Sequence, residues 1–323
     1  MSATTQTTEV QRATFWQPRQ PILWLYLTLL IVFGTLVLGP VVIASATPEG
    51  LAAALIIVGV QAVALWFIAR AMPQLKRQPL SLRLFALAVG LFVAVGSAVF
   101  LNQIGALAVA AYGLTSFSAA LTAPIGEDIS RLLGVLAVLT LATRGRITVM
   151  DGAVYGFLVG MGFELFENLL YAIRSDDLIA TLSTALTRTL VGFGLHALWT
   201  TVGGAALAYC LARKQRGLSG RWLVLPAAML LPMLLHALWD LAPVFAKSAG
   251  VLAVLAVLYL VSVAAFLAAV RAGRAADWAW ITQTAPGRTL TAAEWKTLPR
   301  AERTRLTREA ELADAAAATN LPR

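Results

Sequence analysis

GMGFELFENLLYA, Gly160 to Ala172, sits in an apolar run long enough to cross a membrane, yet it holds Glu164, Glu167 and Asn168 with no basic residue among them. An ionised side chain near the bilayer centre costs about 2.5–3.5 kcal/mol on insertion scales. Two carboxylates one turn apart therefore need partners inside the protein, and those partners must come from elsewhere in the chain.

The surroundings are membrane-like throughout. The 323 residues are 59% hydrophobic and 13% charged, with a mean hydropathy of +0.78. A water-soluble domain of this composition would expose too much apolar surface to stay dispersed. Apolar runs of about 20 residues cross a hydrocarbon core of about 30 Å. Eight occur, at about 22–44, 51–69, 84–104, 119–142, 150–172, 189–211, 222–243 and 250–270. The expected fold is all-α: a polytopic transmembrane helical bundle of about eight spans, multi-pass in the cell membrane. Residues 1–21 form an N-terminal segment, 22–270 the membrane domain and 271–323 a charged tail.

The formal net charge of +9 follows the loops. Arg70, Lys76, Arg77 and Arg83 lie between the second and third spans, and Arg144 and Arg146 between the fourth and fifth. Arg213, Lys214, Arg216 and Arg221 lie between the sixth and seventh, and Arg271 and Arg274 after the eighth. The alternate loops are poor in basic residues, with only Arg174, Arg188 and Lys247. This positive-inside alternation puts both termini in the cytoplasm. It leaves no basic stripe for nucleic acid, so the expected partners are the lipid bilayer and a membrane-anchored protein.

Ala44-Ser45-Ala46 looks like a signal-peptidase site, but the apolar stretch before it exceeds the usual 7–15-residue h-region, so an uncleaved first helix is expected. The single cysteine, Cys210, excludes an intrachain disulfide and reads as a packing residue. Arg188 is expected to snorkel to the outer surface at the start of the sixth span. In the tail, Thr291 and Glu294 form a capping-box pattern, and a second helix is expected over 300–317.

The remaining polar residues of the spans form patterns. Glu127 and Arg131 are i, i+4, with Asp128 between them; Glu164, Glu167 and Asn168 are i, i+3, i+4; His236 and Asp240 are i, i+4. Each set shares one side of a helix. His196 and His236 are the only histidines. At 1.5 Å per residue, Glu127, Glu164, His196 and His236 all fall about 10–13 Å below the outer boundary. Four antiparallel helices should thus deliver carboxylates and imidazoles to one layer.

Glu127-Asp128-x-x-Arg131, Phe163-Glu164-x-x-Glu167-Asn168, His196 and His236-x-x-x-Asp240 together resemble the PrsW family of intramembrane proteases, and more distantly the CAAX-protease and bacteriocin-processing group. The resemblance covers about residues 119–243. The family's first motif usually carries two glutamates and a lysine, where this chain has Asp128 and Arg131. The resemblance implies an endopeptidase whose substrate is a membrane-anchored protein such as an anti-sigma factor.

Peptide hydrolysis needs an activated water and a stabiliser for the developing oxyanion. Glu127, Asp128, Glu164, Glu167, His196 and His236 are the expected catalytic groups, with Arg131, Asn168 and Asp240 in support. Adjacent carboxylates in a low dielectric share a proton and can act as acid and base. Equally, Glu164, His196 and His236 could hold a divalent metal such as zinc on facing helices, leaving a position for water. Sequence leaves the metal-dependent and metal-independent mechanisms open. Two other classes use the same residues: a proton- or ion-coupled transporter and a catalytically silent scaffold. Leu-His-Ala-Leu-Trp, repeated at 195–199 and 235–239, is the feature an inverted-repeat transporter would show.

Overall fold

The computed structural model describes residues 15–142, 147–219, 221–245 and 249–284, with isolated positions between 294 and 309. Arg144, Arg146 and Lys247, and all but isolated positions of the tail helices expected after residue 290, lie outside them.

The described residues are helical and the expected polytopic bundle is borne out. The long helices are α1 (Pro21–Ser45), α2 (Pro48–Arg70), α3 (Leu80–Ala111) and α4 (Ser118–Ala142). Then come α5 (Val149–Ile173), α6 (Leu178–Val191), α7 (Leu195–Gln215), α8 (Val224–Phe245) and α9 (Ala249–Thr284). Seven of these are both long and apolar enough to cross a membrane. The expected fourth span, α4, has 25 residues but carries Glu127, Asp128 and Arg131, which set it apart on composition. Two spans contain π-helical turns, at Val32–Leu38 ahead of Pro40 and at Val89–Ala94. Proline removes a donor and crowds the preceding turn, which accounts for the first.

One expected element divides in two. The apolar run expected at 189–211 begins instead at Leu195, preceded by the separate helix α6. With 14 residues, α6 is about 21 Å long, too short to span the hydrocarbon core. The break is Gly192-Phe193-Gly194, where Gly194 takes a left-handed φ of 77° as the N-cap of α7. Glycine reaches that region without a Cβ penalty. The exposed backbone is satisfied: the Tyr259 hydroxyl donates to the Phe193 carbonyl at 3.0 Å, and Leu195 N–H to Gly192 O at 3.2 Å. Non-helical backbone at membrane depth persists where protein surrounds it in this way.

Helices α5 and α7 form the centre; most of their length is enclosed by the others, whereas α1, α2, α8 and α9 face outward along most of theirs. Gly152, Gly156 and Gly160 make a seam on α5. A Cβ on them would lie 2.1 Å from Gly204 O, 2.4 Å from Thr200 O and 2.3 Å from His196 O. Backbone-to-backbone packing of this kind is how helices associate where water supplies no hydrophobic drive. At its start, α5 is capped by Thr148 and Asp151, and the Asp277 carboxylate accepts Val149 N–H at 3.0 Å and Met150 N–H at 3.3 Å. Asp277 can do this because α9 continues as helix past residue 270, where the apolar run stops.

Candidate active site

The seam sets Glu164, one turn beyond Gly160, beside the break that opens α7. Its carboxylate is saturated with donors. Oε1 accepts Gly194 N–H at 2.6 Å and the Gln61 amide at 2.6 Å, and Oε2 accepts His196 N–H at 3.2 Å. Glu164 therefore acts as a cap from a neighbouring helix: it satisfies free N–H groups at the α7 N-terminus, where the helix dipole also favours negative charge. Capping in this way fixes where His196, the second residue of α7, begins.

The Glu127 carboxylate is placed differently. Asn102 Nδ2 donates to Oε1 at 2.9 Å, while Oε2 is buried with no hydrogen-bond partner. That oxygen stands 3.6 Å from His196 Nε2 and 3.6 Å from His236 Nε2. Glu127, His196 and His236 each present one ligand atom, all within 4.8 Å of one another. The Glu/His/His group that could hold a metal thus contains Glu127, where sequence reasoning named Glu164.

These residues fit a divalent metal. Metal–ligand bonds of about 2.0–2.2 Å at tetrahedral angles place neighbouring donor atoms about 3.3–3.6 Å apart. A buried carboxylate oxygen that makes no hydrogen bond and faces two imidazole nitrogens is the donor set such an ion takes, and a metal ligand's other ring nitrogen ordinarily meets a carboxylate. Here His236 Nδ1 lies 3.3 Å from Asp128 Oδ2, and Asp128 is in turn held by Arg131. His196 Nδ1 lies 3.7 Å from Glu167 Oε2 and 4.0 Å from Glu164 Oε2.

The supporting residues occupy distinct positions. Arg131 is fully buried, hydrogen-bonds Asp128, stands 3.6 Å from Glu127 and lies 4.4 Å over the Phe163 ring. Asp240, one turn along α8 from His236, has Oδ2 3.6 Å from Nε2, the nitrogen that also faces Glu127. Asn168 bonds Gln61 and Arg188. Arg188 does not snorkel outward: its Nη2 bonds Glu167 at 2.7 Å, its Nε bonds Asn168 at 2.8 Å, and it covers Tyr171. A cation reaching inward neutralises a half-buried carboxylate that the span itself could not balance. The Trp199 ring stacks on His236 at 4.8 Å, with its Nε1–H bonded to Ser262. The two copies of Leu-His-Ala-Leu-Trp thus meet in space, where Leu195, Trp199 and Leu235 share one cluster.

A cavity of about 530 Å³ leads to the trio, with Glu127, Glu167, His196, His236 and Asp240 in its wall. Its lining extends to Ala106, Ser118 and Arg174, at the end of the bundle where α3 ends and α4 begins. Sequence reasoning missed Gln61, Asn102 and the 192–194 break. Only the Gly-x-Gly pattern of the break was a readable sign.

Comparison with known proteins identifies the family. A family model for the PrsW family intramembrane metalloprotease matches residues 78–270, more than half of the chain. Protease PrsW of Halalkalibacterium halodurans is 36% identical over 92 residues, 28% of this chain and 38% of that protein. Protease PrsW of Geobacillus kaustophilus is 31% identical over 90 residues, 28% of this chain and 36% of that one. The chain therefore spans little more than a third of the length of these curated relatives. No solved structure matches it. The family match encloses every element that carries the Glu/His cluster, and the chain belongs to the PrsW family of intramembrane metalloproteases.

Proposed function

We propose that this protein is an intramembrane endopeptidase that hydrolyses a membrane-anchored protein, with Glu127, His196 and His236 as the centre of its site. The observation that carries the reading is Glu127 Oε2, buried without a hydrogen bond and 3.6 Å from both imidazole Nε2 atoms, with Arg131 Nη1 at the same distance, at the end of a cavity. These three residues would hold a divalent metal, which supplies an activated water and a Lewis acid for the scissile carbonyl.

The chain's own groups set up the rest. With Asp128, held by Arg131, accepting a hydrogen bond from His236 Nδ1–H, the Nε2 lone pair of His236 would be free to serve the metal that Glu127 and His196 share. Asn102 donates to one Glu127 oxygen and keeps the other directed at the imidazoles. The Arg188 guanidinium engages Glu167, whereas Asp240 has no cation partner other than His236 among the described residues. Asp240 is therefore the carboxylate placed to take a proton from attacking water and return it to the leaving amine. The aromatic faces of Trp199 and Phe163 limit bulk water around the histidines. By family resemblance the substrate is a membrane-bound regulator of the anti-sigma-factor kind.

Purified protein in proteoliposomes, given single-pass reporters, tests the reading. Cleavage that stops on chelation, returns with zinc and is lost in Glu127→Gln is the expected result. Cleavage unaffected by chelation would leave the metal-independent glutamate mechanism. Ion flux without cleavage would favour the transporter.

A further inference from the structure

Gln61 belongs to neither the acidic motifs nor the segment 78–270 matched by the family, yet it is built into the site. It is the one side-chain amide or charged group between residues 51 and 69. It also occupies the buried stripe of α2, with Ala54, Val58, Leu65 and Ala69. At 1% exposure in an apolar span, an amide is costly unless its donor and acceptor are both met. Both are. Asn168 Nδ2 donates to Gln61 Oε1 at 3.0 Å, and Gln61 Nε2 donates to Glu164 Oε1 at 2.6 Å.

The direction of these bonds matters. Arg188 Nε–H donates to Asn168, Asn168 donates to Gln61, and Gln61 donates to Glu164. Both amides, Asn168 and Gln61, accept on one side and donate on the other, so the bonds polarise one another in a single sense and end on the carboxylate that caps α7. One turn further along α2, Leu65 packs against Gly194, 3.2 Å from where a Cβ would sit. Thus α2 presses on the same turn that Glu164 holds.

We infer that Gln61 is a positioning residue of the site: it fixes the Glu164 carboxylate, and through it the turn that places His196. The inference rests on the proposed peptide-hydrolysing, metal-holding reading of the cluster. It adds a helix outside the matched segment to the machinery.

Gln61→Met tests it, because methionine fills nearly the same volume without a donor or a comparable acceptor. If Gln61 served only packing, this variant would behave as the parent. The expected result is a folded protein whose melting temperature falls by a few degrees at most, as Asn168 loses its acceptor, with kcat against a single-pass reporter lower by about tenfold or more and zinc affinity of the purified protein reduced by about 10- to 100-fold. KM should stay within about twofold, since the residue does not touch substrate. Parental kcat and zinc affinity together would overturn the inference. If Gln61→Met does not fold, Gln61→Leu is measured in its place against the same criteria. Should the parent cleave no reporter, the protease reading fails by itself, and the zinc titration still decides the role of Gln61.

Discussion

Glu127 and Glu164 are both buried carboxylates, and their neighbours give them different work. Glu164 meets only donors, from Gln61, Gly194 and His196. Glu164→Gln must therefore aim its own N–H₂ at one of them, at a cost of about 1–3 kcal/mol for the unmet group. The expected outcome is a protein that still inserts, since a buried charge has been removed, but has lost cleavage because His196 is displaced. Full turnover by this variant would show that the cap is dispensable. His236→Ala removes one of the two nitrogens facing Glu127 and strands Asp128 on Arg131. Turnover should fall by about a hundredfold or more with normal expression. A quantitative cleavage assay alongside membrane-fraction yield separates this from misfolding.

The seam between α5 and α7 sets Glu164 beside the start of α7, where His196 lies, and it tolerates no side chain. A Cβ at Gly156 would lie 2.4 Å from Thr200 O. Gly156→Leu should force the helices apart, destabilising the protein by about 1–3 kcal/mol or more and abolishing activity. Gly59 is the control, with nothing within 4 Å of its Cβ position. Gly59→Ala should be neutral or stabilising by up to about 1 kcal/mol. Thermal unfolding in detergent reads both, and equal melting temperatures for the two variants would refute the close-approach argument. The break between α6 and α7 is the other feature on this scale. It exposes the N–H groups that Glu164 accepts, which an unbroken helix would have used internally.

Across the whole molecule, basic loops and the cavity direction bear on orientation. On the positive-inside pattern we propose that both termini are cytoplasmic and the loop at Asp176 is outside. The lining residues Ala106, Ser118 and Arg174 extend the cavity toward that same end. In a Cys210→Ala background, a cysteine at Asp176 should label from outside and one at Gln215 should not. The reverse would overturn the topology. A substrate helix must unwind before attack, because its carbonyls are engaged in i→i−4 bonds. With this topology, the cut falls in the outer third of the substrate span or just beyond it. A glycine pair there should speed turnover, and the same pair at the cytoplasmic end should not. Mass spectrometry of the new N-terminus decides, and a cut at the cytoplasmic end would contradict the depth of the Glu127 cluster.

The amino-acid sequence by itself determined the polytopic helical class, most of the span positions and the inward-facing carboxylates and histidines of the motifs. The reason is that unpaired charge in an apolar run is costly enough to be conspicuous: Glu127, Glu164, His196 and His236 stand out in any reading. Helical period names the side of a helix a residue occupies, but it does not name the residue opposite. Only the tertiary structure therefore decided that Glu127 faces both imidazoles while Glu164 caps α7, that Asp128 and not Asp240 stands against His236 Nδ1, and that Arg188 turns inward to Glu167. Gln61 was illegible for the same reason. One glutamine in an apolar run has meaning only once the packing of α2 against α5 shows which carboxylate it holds.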